Sequence, residues 1–310
     1  MITFHSVMDK PEPVRRVMPP ITTIEKIRKH PQRSHTATCF FVLLSIRRAK
    51  LSKTLPLKTM KVYSHIIESK RKSKKLFAVL VDPDKVSAQQ AEEIALQSGR
   101  AGVDFLFVGS SLLTGESLDD CISIIKKNCS IPVVLFPGNA LQVSKQADTI
   151  LLLSLISGRN ADMLIGKHVI AAPMLKASEL EIISTGYMLI DPGHPTSVSY
   201  ISNTLPIPHD KNDIAYCTAL AGEMLGMKLI FMDAGSGARS PISSSMIADV
   251  SRQIRIPLIV GGGIKTPEKA LDNCNAGADV IVVGNSIEKN KSLIEEIAEA
   301  VHSFELKTAT

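Results

Sequence analysis

Short apolar runs alternate with amphipathic stretches along the chain from residue 76 onward. Each run is nearly continuous in Val, Ile, Leu, Phe or Met, which is typical of strands buried on both faces of a parallel sheet. The pattern predicts eight strands, at residues 76–83, 104–110, 131–138, 149–155, 186–193, 228–235, 256–263 and 279–285.

Most of the stretches between these runs have the spacing of helices that bury one face. One of them opens with Thr266 and Pro267, which suit the cap and the first position of a helix. Residues 166–182 are predicted as helix and loop, with an extra strand at 168–171 as the alternative. Strands that alternate with helices predict an α/β fold, a (β/α)8 TIM barrel. A doubly wound sheet fits less well, because the glycines follow the last three strands and not the first.

Three loops of small residues follow the last three predicted strands. Gly262 and Gly263 end the seventh run, Gly284 and Asn285 end the eighth, and the sixth leads into a third loop of small residues, Asp233 to Ala238. In barrels of this kind the loops after strands seven and eight often bind phosphate. Glycine lets backbone N–H groups approach phosphate oxygens closely. The loops therefore predict a phosphate-binding site, with tight turns as the alternative explanation.

Acidic residues at two other strand ends indicate further chemistry. Asp82 ends the first run and Ser111 lies just past the second. A carboxylate and a hydroxyl suit Mg²⁺, which completes its coordination with water and substrate phosphate; the alternative is that Asp82 only shapes a turn. Asp233 ends the sixth run, beside the predicted phosphate site. There it is expected to face a substrate hydroxyl, as an orienting group or a general base.

The first 59 residues differ in composition from the rest. They contain 12 Lys and Arg against three Asp and Glu, which gives a net charge of +9. The whole chain carries +6, so the remaining residues carry −3. The main domain is therefore not expected to bind nucleic acid. We predict a basic extension without regular structure at residues 1–59 and a catalytic barrel domain at 60–310, with Met60 as a natural start of the folded part.

The function of this extension stays open. Its apolar run at residues 39–46 is far shorter than the ~20 residues that span a bilayer, and it begins late for a signal peptide. A basic arm that touches a membrane surface, a targeting segment and an over-long start are the three interpretations. The five cysteines are scattered without metal-ligand spacing, which indicates a reduced, cytoplasmic setting.

Several motifs occur together and in order along residues 60–305. They include "FAVLVDPDK", "FVGSSLLTG", "SNTLPIPHDKNDIA", "KLIFMDAGSGA", "LIVGGGIKTPEKA" and "VIVVGNSIE". The set resembles the geranylgeranylglyceryl phosphate synthase family, whose members are Mg²⁺-dependent prenyltransferases built on a (β/α)8 barrel. The resemblance implies transfer of a long prenyl group from its diphosphate to the 3-hydroxyl of sn-glycerol 1-phosphate, which releases pyrophosphate and leaves an ether.

The resemblance also implies roles for individual residues. The metal positions of the family match Asp82 and Ser111. The positions that bind glycerol phosphate match Phe231, Met232, Asp233, Ala234, Gly235, Ser236, Gly237, Gly262, Gly263, Gly284 and Asn285. This chain departs from the family where Phe231-Met232-Asp233 replaces a frequent Tyr-x-Glu. Phenylalanine cannot donate a hydrogen bond, and aspartate shortens the reach of the carboxylate by one methylene.

Two other functional classes stay as alternatives. One is a barrel isomerase or lyase that acts on a small phosphorylated substrate, with Asp82 and Asp233 as its acid and base. The other is a phosphate-binding barrel without catalysis. For the prenyltransferase, a homo-oligomer is expected, and the lipid product predicts a peripheral position near a membrane surface without an anchor.

Overall fold

The computed structural model describes residues 61–139 and 142–308. In this part of the chain eight parallel strands pair in chain order and close into a barrel, with β8 beside β1, which confirms the predicted TIM barrel. The strands are β1 Leu76–Val81, β2 Phe105–Val108, β3 Val133–Leu135, β4 Thr149–Leu155, β5 Glu181–Leu189, β6 Leu229–Asp233, β7 Leu258–Gly261 and β8 Val280–Val283.

Helices surround the barrel, and a short π-helical segment, Asp162–Gly166, precedes one of them. The predicted start at Thr266 is confirmed, since its side chain accepts a hydrogen bond from the Lys269 N–H and Pro267 occupies the first turn. The helices are α1 Val62–Arg71, α2 Ala88–Ala101, α3 Ser117–Asn128, α4 Lys167–Ser178, α5 Ser197–Ser202, α6 Asn212–Met224, α7 Ser244–Gln253, α8 Pro267–Asn275, α9 Asn285–Lys289 and α10 Leu293–Thr308.

The strand β5 corrects one predicted boundary. It begins at Glu181 and not at residue 186, so Gly186 lies inside the strand. A Cβ on Gly186 would lie within 3 Å of the side chains of Met227, Ile156 and Ile230. The glycine thus makes room for packing and does not start the strand. The helix predicted in the preceding segment is α4, and the alternative of an extra strand at 168–171 is wrong.

The connection from β3 to β4 breaks the alternation of strands and helices. None of its described residues, 136–139 and 142–148, is helical. The outer layer is therefore thin next to β4, where the outward-facing Leu152 and Ser154 are only partly buried although β4 has a neighbouring strand on each side. This gap provides space that helices fill elsewhere around the barrel.

Two apolar layers hold the barrel together. Alternate strand residues point inward, where Phe105, Phe107, Tyr187 and Phe231 form part of the interior cluster, or outward against the helices. Burying one such side chain stabilises the fold by about 1.5–3 kcal/mol. No helix among the described residues is long and apolar enough to cross a membrane.

Three aspartates fasten the amino-terminal end of the barrel. Each precedes a strand and accepts a hydrogen bond from a backbone N–H at the beginning of the neighbouring strand. The pairs are Phe77 N to Asp104 at 2.8 Å, Val133 N to Asp148 at 2.8 Å and Leu258 N to Asp279 at 2.9 Å. These carboxylates lie at the end of the barrel that in this fold contributes to stability, which leaves the opposite end for a site.

The predicted extension at residues 1–59, its apolar run at 39–46 and the start at Met60 lie outside the described residues. These assignments stay predictions.

Candidate active site

A cleft opens at the carboxyl ends of the strands, with a volume of about 370 Å³, which is in the range of small-molecule sites. Parallel strands in a barrel end around one mouth, so loops far apart in sequence meet there. The predicted residues Asp82, Ser111 and Asp233 all line this cleft, as do the glycines of the loops that follow β6, β7 and β8.

Side-chain hydrogen bonds join these three loops. Ser236 after β6 and Asn285 after β8 are linked by two contacts, of 2.8 and 3.0 Å. The Ser286 hydroxyl, also after β8, donates to the Ile264 carbonyl after β7 at 2.9 Å. The loops thus form one connected wall of the cleft.

Glycine is required in this wall because the loops pack closely. Gly262 has a φ of 82°, and a Cβ there would lie 2.7 Å from the Ala234 nitrogen and from Asp233 Oδ1. Gly263 has a φ of 70°, and its Cβ would lie 3.0 Å from Pro241 Cα. These values support the turn and packing explanation for both glycines, beyond any need for phosphate to approach.

The same loops nevertheless present backbone donors. Within the described residues, the N–H groups of Gly237, Gly263 and Asn285 make no hydrogen bond to protein atoms. One lies in each of the three loops, so each loop of the wall has a backbone N–H without a protein acceptor. An anion with several oxygens, such as phosphate, can accept from all of them.

Asp233 is held in place by two donors. The Tyr187 hydroxyl on β5 donates to Asp233 Oδ2 at 2.6 Å, and the Gly235 N–H donates to Oδ1 at 2.7 Å. Burial raises the pKa of the Asp233 carboxyl above its ordinary value, and the two hydrogen bonds oppose that rise. Burial and the charge of Asp233 raise the pKa of Tyr187 well above 10, so the phenol stays a donor. The carboxylate is thus fixed and more basic than an exposed one.

A second set of polar side chains lines the cleft around Asp82. Its Oδ2 accepts a hydrogen bond from the Ser110 hydroxyl at 2.9 Å and pairs with the Lys85 ammonium at 2.9 Å. Burial raises the pKa of Glu288, which lies nearby, while Lys85 opposes the rise. Burial lowers the pKa of Lys85, but the hydrogen bond to Asp82 and the charge of Asp82 together raise it by more, so the pKa lies above its ordinary value. The wall around Asp82 therefore carries a cation as well as carboxylates.

Individual predicted residues fall in different places. Ser111 lines the cleft, but Ser110 is the serine that contacts Asp82, and the metal role of Ser111 stays a prediction. The Met232 side chain points outward into the core between strands and helices, because strand residues alternate, and the role of this position in binding glycerol phosphate stays a prediction. Ala234 also points outward.

Phe231 packs inside the barrel between two aromatic rings. Its ring lies 5.0 Å from that of Phe136 and 5.7 Å from that of Tyr187, measured between centroids. Phe231 is paired with Tyr187 across β6 and β5, so the hydroxyl that Phe231 lacks is present on the neighbouring strand. Sequence reasoning missed Tyr187, because "GYML" shows no polar pattern that indicates a site.

An apolar cavity adjoins the polar cleft beside the gap between β3 and β4. The two cavities share Ser110, Ser111, Phe136, Tyr187 and Val198. The rest of the apolar cavity is lined mainly by aliphatic side chains of β4, α4 and α5, including Ile150, Leu152, Leu153, Ala171, Leu175 and Ile201. The arrangement suits a ligand with an anionic end and a long apolar chain.

Fold and site together define a TIM barrel whose mouth joins a polar cleft to an apolar cavity. The sequence matches the PcrB family over residues 66–301, and the chain belongs to this family. Geranylgeranylglyceryl phosphate synthase of Chitinophaga pinensis is 60% identical over 243 residues, 78% of this chain and 96% of that protein. The protein of the same name from Thermococcus kodakarensis is 44% identical, over 76% of this chain and 93% of that protein.

A solved structure agrees with these relatives. It is (S)-3-O-geranylgeranylglyceryl phosphate synthase from Thermoplasma acidophilum in complex with its substrate sn-glycerol-1-phosphate. The TM-score is 0.75 at 33% identity, over 79% of this chain and 99% of that chain. The predicted family and enzyme class, a prenyltransferase, are confirmed.

The packing of Gly262 provides a test of the loop wall. Gly262→Ala should lower the affinity for glycerol phosphate, because its Cβ displaces the Asp233 carboxylate and the backbone of the β6 loop. Gly226→Ala is the control, since Gly226 has a similar φ of 86° but open space around its Cβ. Both changes should lower the free energy of unfolding by about 1–2 kcal/mol, because alanine is strained in the left-handed backbone conformation. Calorimetric titration and urea unfolding measure the two effects; equal affinities in both variants would contradict the assignment.

Proposed function

We propose that the chain joins the 3-hydroxyl of sn-glycerol 1-phosphate to the first carbon of a long-chain prenyl diphosphate such as geranylgeranyl diphosphate. The products are an ether lipid precursor and pyrophosphate. One observation carries the proposal: a polar cleft with donors for phosphate and a fixed carboxylate opens directly into an apolar cavity. The named relatives and the ligand of the Thermoplasma acidophilum structure support the same pair of substrates.

The acceptor fits the wall formed by the loops after β6, β7 and β8. Its phosphate would accept hydrogen bonds from the N–H groups of Gly237, Gly263 and Asn285. Asp233 lies beside this wall, so the hydroxyl at the other end of the small acceptor can reach its carboxylate. Holding both ends fixes the direction in which the hydroxyl points, and such positioning can contribute roughly 7–11 kcal/mol to catalysis.

The donor fits the junction of the two cavities. Its diphosphate would lie near Ser110, Ser111 and the Lys85 ammonium, where the walls are polar. Its prenyl chain would extend into the apolar cavity beside β4 and α4, where it is removed from water. The reacting carbon then lies between the diphosphate and Asp233.

The residues around Asp82 fit a bound Mg²⁺. A buried carboxylate with serine hydroxyls beside it is a donor set that Mg²⁺ accepts, and Asp82, with Ser110 or Ser111, would hold the ion. The described residues contain no group of three or more His, Cys, Asp or Glu side chains that could hold a metal. Water and the diphosphate would therefore supply most ligands. When bound, Mg²⁺ stabilises the negative charge of the leaving pyrophosphate.

The reaction needs one bond to form and one to break. The acceptor oxygen forms a bond to the first carbon of the prenyl chain, and the bond from that carbon to the diphosphate oxygen breaks. The hydroxyl proton passes to Asp233 if the carboxylate acts as the base, or to water or pyrophosphate if it only orients the hydroxyl. Lys85 contributes a positive charge near the leaving group.

The isomerase and lyase alternative gains no support from the apolar cavity. An enzyme for a small phosphorylated substrate has no use for an aliphatic pocket continuous with its cleft. The four cysteines that the structure describes are free, which suits the reduced cytoplasm as the site of action. A homo-oligomer stays a prediction.

Product formation tests the proposal. The full chain is incubated with Mg²⁺, with glycerol 1-phosphate or glycerol 3-phosphate, and with prenyl diphosphates of several lengths. We expect an ether product with glycerol 1-phosphate and a long donor, detected by mass spectrometry. Absence of any ether product with every pair would contradict the function.

The apolar cavity predicts which residue affects donor length. Ala171 lines the cavity, whereas its neighbour Ala172 is exposed on the same helix. Ala171→Phe should fill the cavity and reduce turnover of long donors while short donors still react. Ala172→Phe should leave the length preference unchanged. An equal loss with donors of every length in Ala171→Phe would place the prenyl chain elsewhere.

The contact between Tyr187 and Asp233 predicts a change in pH dependence. The Tyr187 hydroxyl lowers the pKa of Asp233, so Tyr187→Phe should raise that pKa. If ionised Asp233 is the active form, activity is present above this pKa and is lost as the pH falls through it. The acidic limb of kcat/KM should therefore move to higher pH. Tyr63→Phe, which changes a tyrosine of α1 outside both cavities, should leave the limb in place.

Asp233→Asn separates the two roles of the carboxylate. If Asp233 is the base, the acidic limb should disappear and kcat should fall by roughly 10²–10⁴. A loss of only a few-fold would mean that Asp233 orients the hydroxyl. An acidic limb that survives unchanged in both Tyr187→Phe and Asp233→Asn would show that another group titrates.

A further inference from the structure

The loop that connects β2 to α3, residues 109–116, is fastened to the loop after β1 near both of its ends. Near its beginning, the Ser110 hydroxyl donates to Asp82 Oδ2 at 2.9 Å. Near its end, Thr114 is held by the carboxylate of Asp84. Both loops line the polar cleft, so these contacts lie at the candidate active site.

Asp84 makes the more extensive of the two contacts. Its Oδ2 accepts hydrogen bonds from the Thr114 N–H at 2.5 Å and from the Thr114 hydroxyl at 3.0 Å. Its Oδ1 accepts a hydrogen bond from the Ser117 hydroxyl, in the first turn of α3, at 2.9 Å. Hydrogen bonds to an ionised carboxylate are roughly twice as strong as those between neutral groups. Asp84 therefore joins the loop after β1 to the end of the β2 loop and to the start of α3.

The backbone of the same residue contacts Asp82. The Asp84 N–H donates to Asp82 Oδ1 at 3.2 Å, and the Lys85 N–H donates to the Asp82 carbonyl at 3.0 Å. Asp84 thus touches Asp82 through its main chain and the β2 loop through its side chain. One residue links the carboxylate and the hydroxyl-bearing loop that a Mg²⁺ site at Asp82 would use.

The contact near the beginning of the loop cannot fix this spacing by itself. Asp82, with Ser110 or Ser111, would hold the ion, and oxygens that bind Mg²⁺ have fewer lone pairs left for hydrogen bonds. The Ser110 contact with Asp82 therefore competes with the ion for the same atoms. The contacts of the Asp84 carboxylate with Thr114 and Ser117 use none of those atoms, so they can persist when the ion is bound.

We propose that Asp84 is a positioning residue of the metal site. Its carboxylate holds the β2 loop so that the hydroxyls of Ser110 and Ser111 stay beside Asp82. The inference rests on the proposed function, which assigns Mg²⁺ to Asp82. Groups that orient the ligands of a metal typically contribute about 10–100-fold to its affinity.

A direct bond from Asp84 to the ion is the alternative. Both carboxylate oxygens of Asp84 already accept hydrogen bonds, three in all, so a metal bond would compete with the donors that hold the loop. The geometry therefore favours the positioning role. Asparagine separates the two roles, because its amide oxygen can accept from the Thr114 N–H and its amide nitrogen can donate to the Ser117 hydroxyl. The amide carries no charge to attract a cation.

Mn²⁺ titration of the full chain without substrates tests the proposal, because oxygen ligands that suit Mg²⁺ also suit Mn²⁺. Electron paramagnetic resonance measures the free ion, and Mg²⁺ should displace the bound ion. Asp84→Ala should lower the Mn²⁺ affinity about tenfold or more. Asp84→Asn should stay within about threefold of the wild type, since it keeps the contacts with the loop.

Glu116→Ala is the charge control. Glu116 is an exposed acidic residue of the same loop, lines neither cavity and does not cap α3 with its side chain. Its removal should leave the Mn²⁺ affinity unchanged. Glycerol 1-phosphate affinity, measured by calorimetry without metal, should be the same in the wild type and in Asp84→Ala, because the acceptor loops follow β6, β7 and β8.

Four results would overturn the proposal. The first is an Mn²⁺ affinity of Asp84→Ala equal to that of the wild type. The second is an affinity of Asp84→Asn as low as that of Asp84→Ala, which would indicate a direct ligand or a charge effect. The third is an equal loss of glycerol 1-phosphate affinity in Asp84→Ala, which would indicate a general effect on the fold. The fourth is a wild type without Mn²⁺ binding that Mg²⁺ displaces.

The proposed function is decided by a different measurement. Mn²⁺ affinities need no substrate, whereas ether formation by the wild type needs both. The expected order of Mn²⁺ affinities in a wild type that forms no ether would refute the prenyl transfer and leave the role of Asp84 intact. Ether formation with equal Mn²⁺ affinities in all variants would refute the role of Asp84 and leave the prenyl transfer intact.

Discussion

Closure of the parallel barrel is the constraint on which the site depends. Because β8 pairs with β1, the carboxyl ends of all eight strands surround one mouth. Asp82 just after the first strand and Asn285 after the last are about 200 residues apart in sequence, yet both line the same cleft. The aspartates at the opposite end of the barrel fasten the strands without occupying this mouth.

The connection from β3 to β4, whose described residues include no helix, gives the barrel its second property. A regular helix between β3 and β4 would cover β4 and fill the space that the apolar cavity occupies. Without it, a polar cleft for phosphates and an apolar cavity meet at Ser110, Ser111, Phe136, Tyr187 and Val198. Under the proposed function, the two substrates would bind on either side of that junction and their reacting atoms would meet there.

Periodicity sufficed to predict the strands, the barrel and the helix start at Thr266, because buried parallel strands and capped helices have local signals. The start of β5 was missed because Gly186, in the middle of the strand, is explained by side chains distant in sequence. Tyr187, Lys85 and Glu288 were missed for the same reason: their importance comes from neighbours across the cleft. The apolar cavity depends on the absence of a helix from the described residues of the connection between β3 and β4. A periodic pattern in the sequence does not report such an absence.

The central claim is that the loops after β6, β7 and β8 bind the acceptor without a contribution from Asp82. Calorimetric titration of sn-glycerol 1-phosphate into the full chain, without the prenyl donor, tests this claim most directly. Asn285→Ala removes the hydrogen bonds to Ser236 that join the loops after β6 and β8. The backbone donors of these loops are then less well ordered, and the affinity for glycerol 1-phosphate should fall by about tenfold or more. Asp82→Asn should leave the affinity nearly unchanged while it abolishes turnover. An affinity that falls in Asp82→Asn and not in Asn285→Ala would contradict the account.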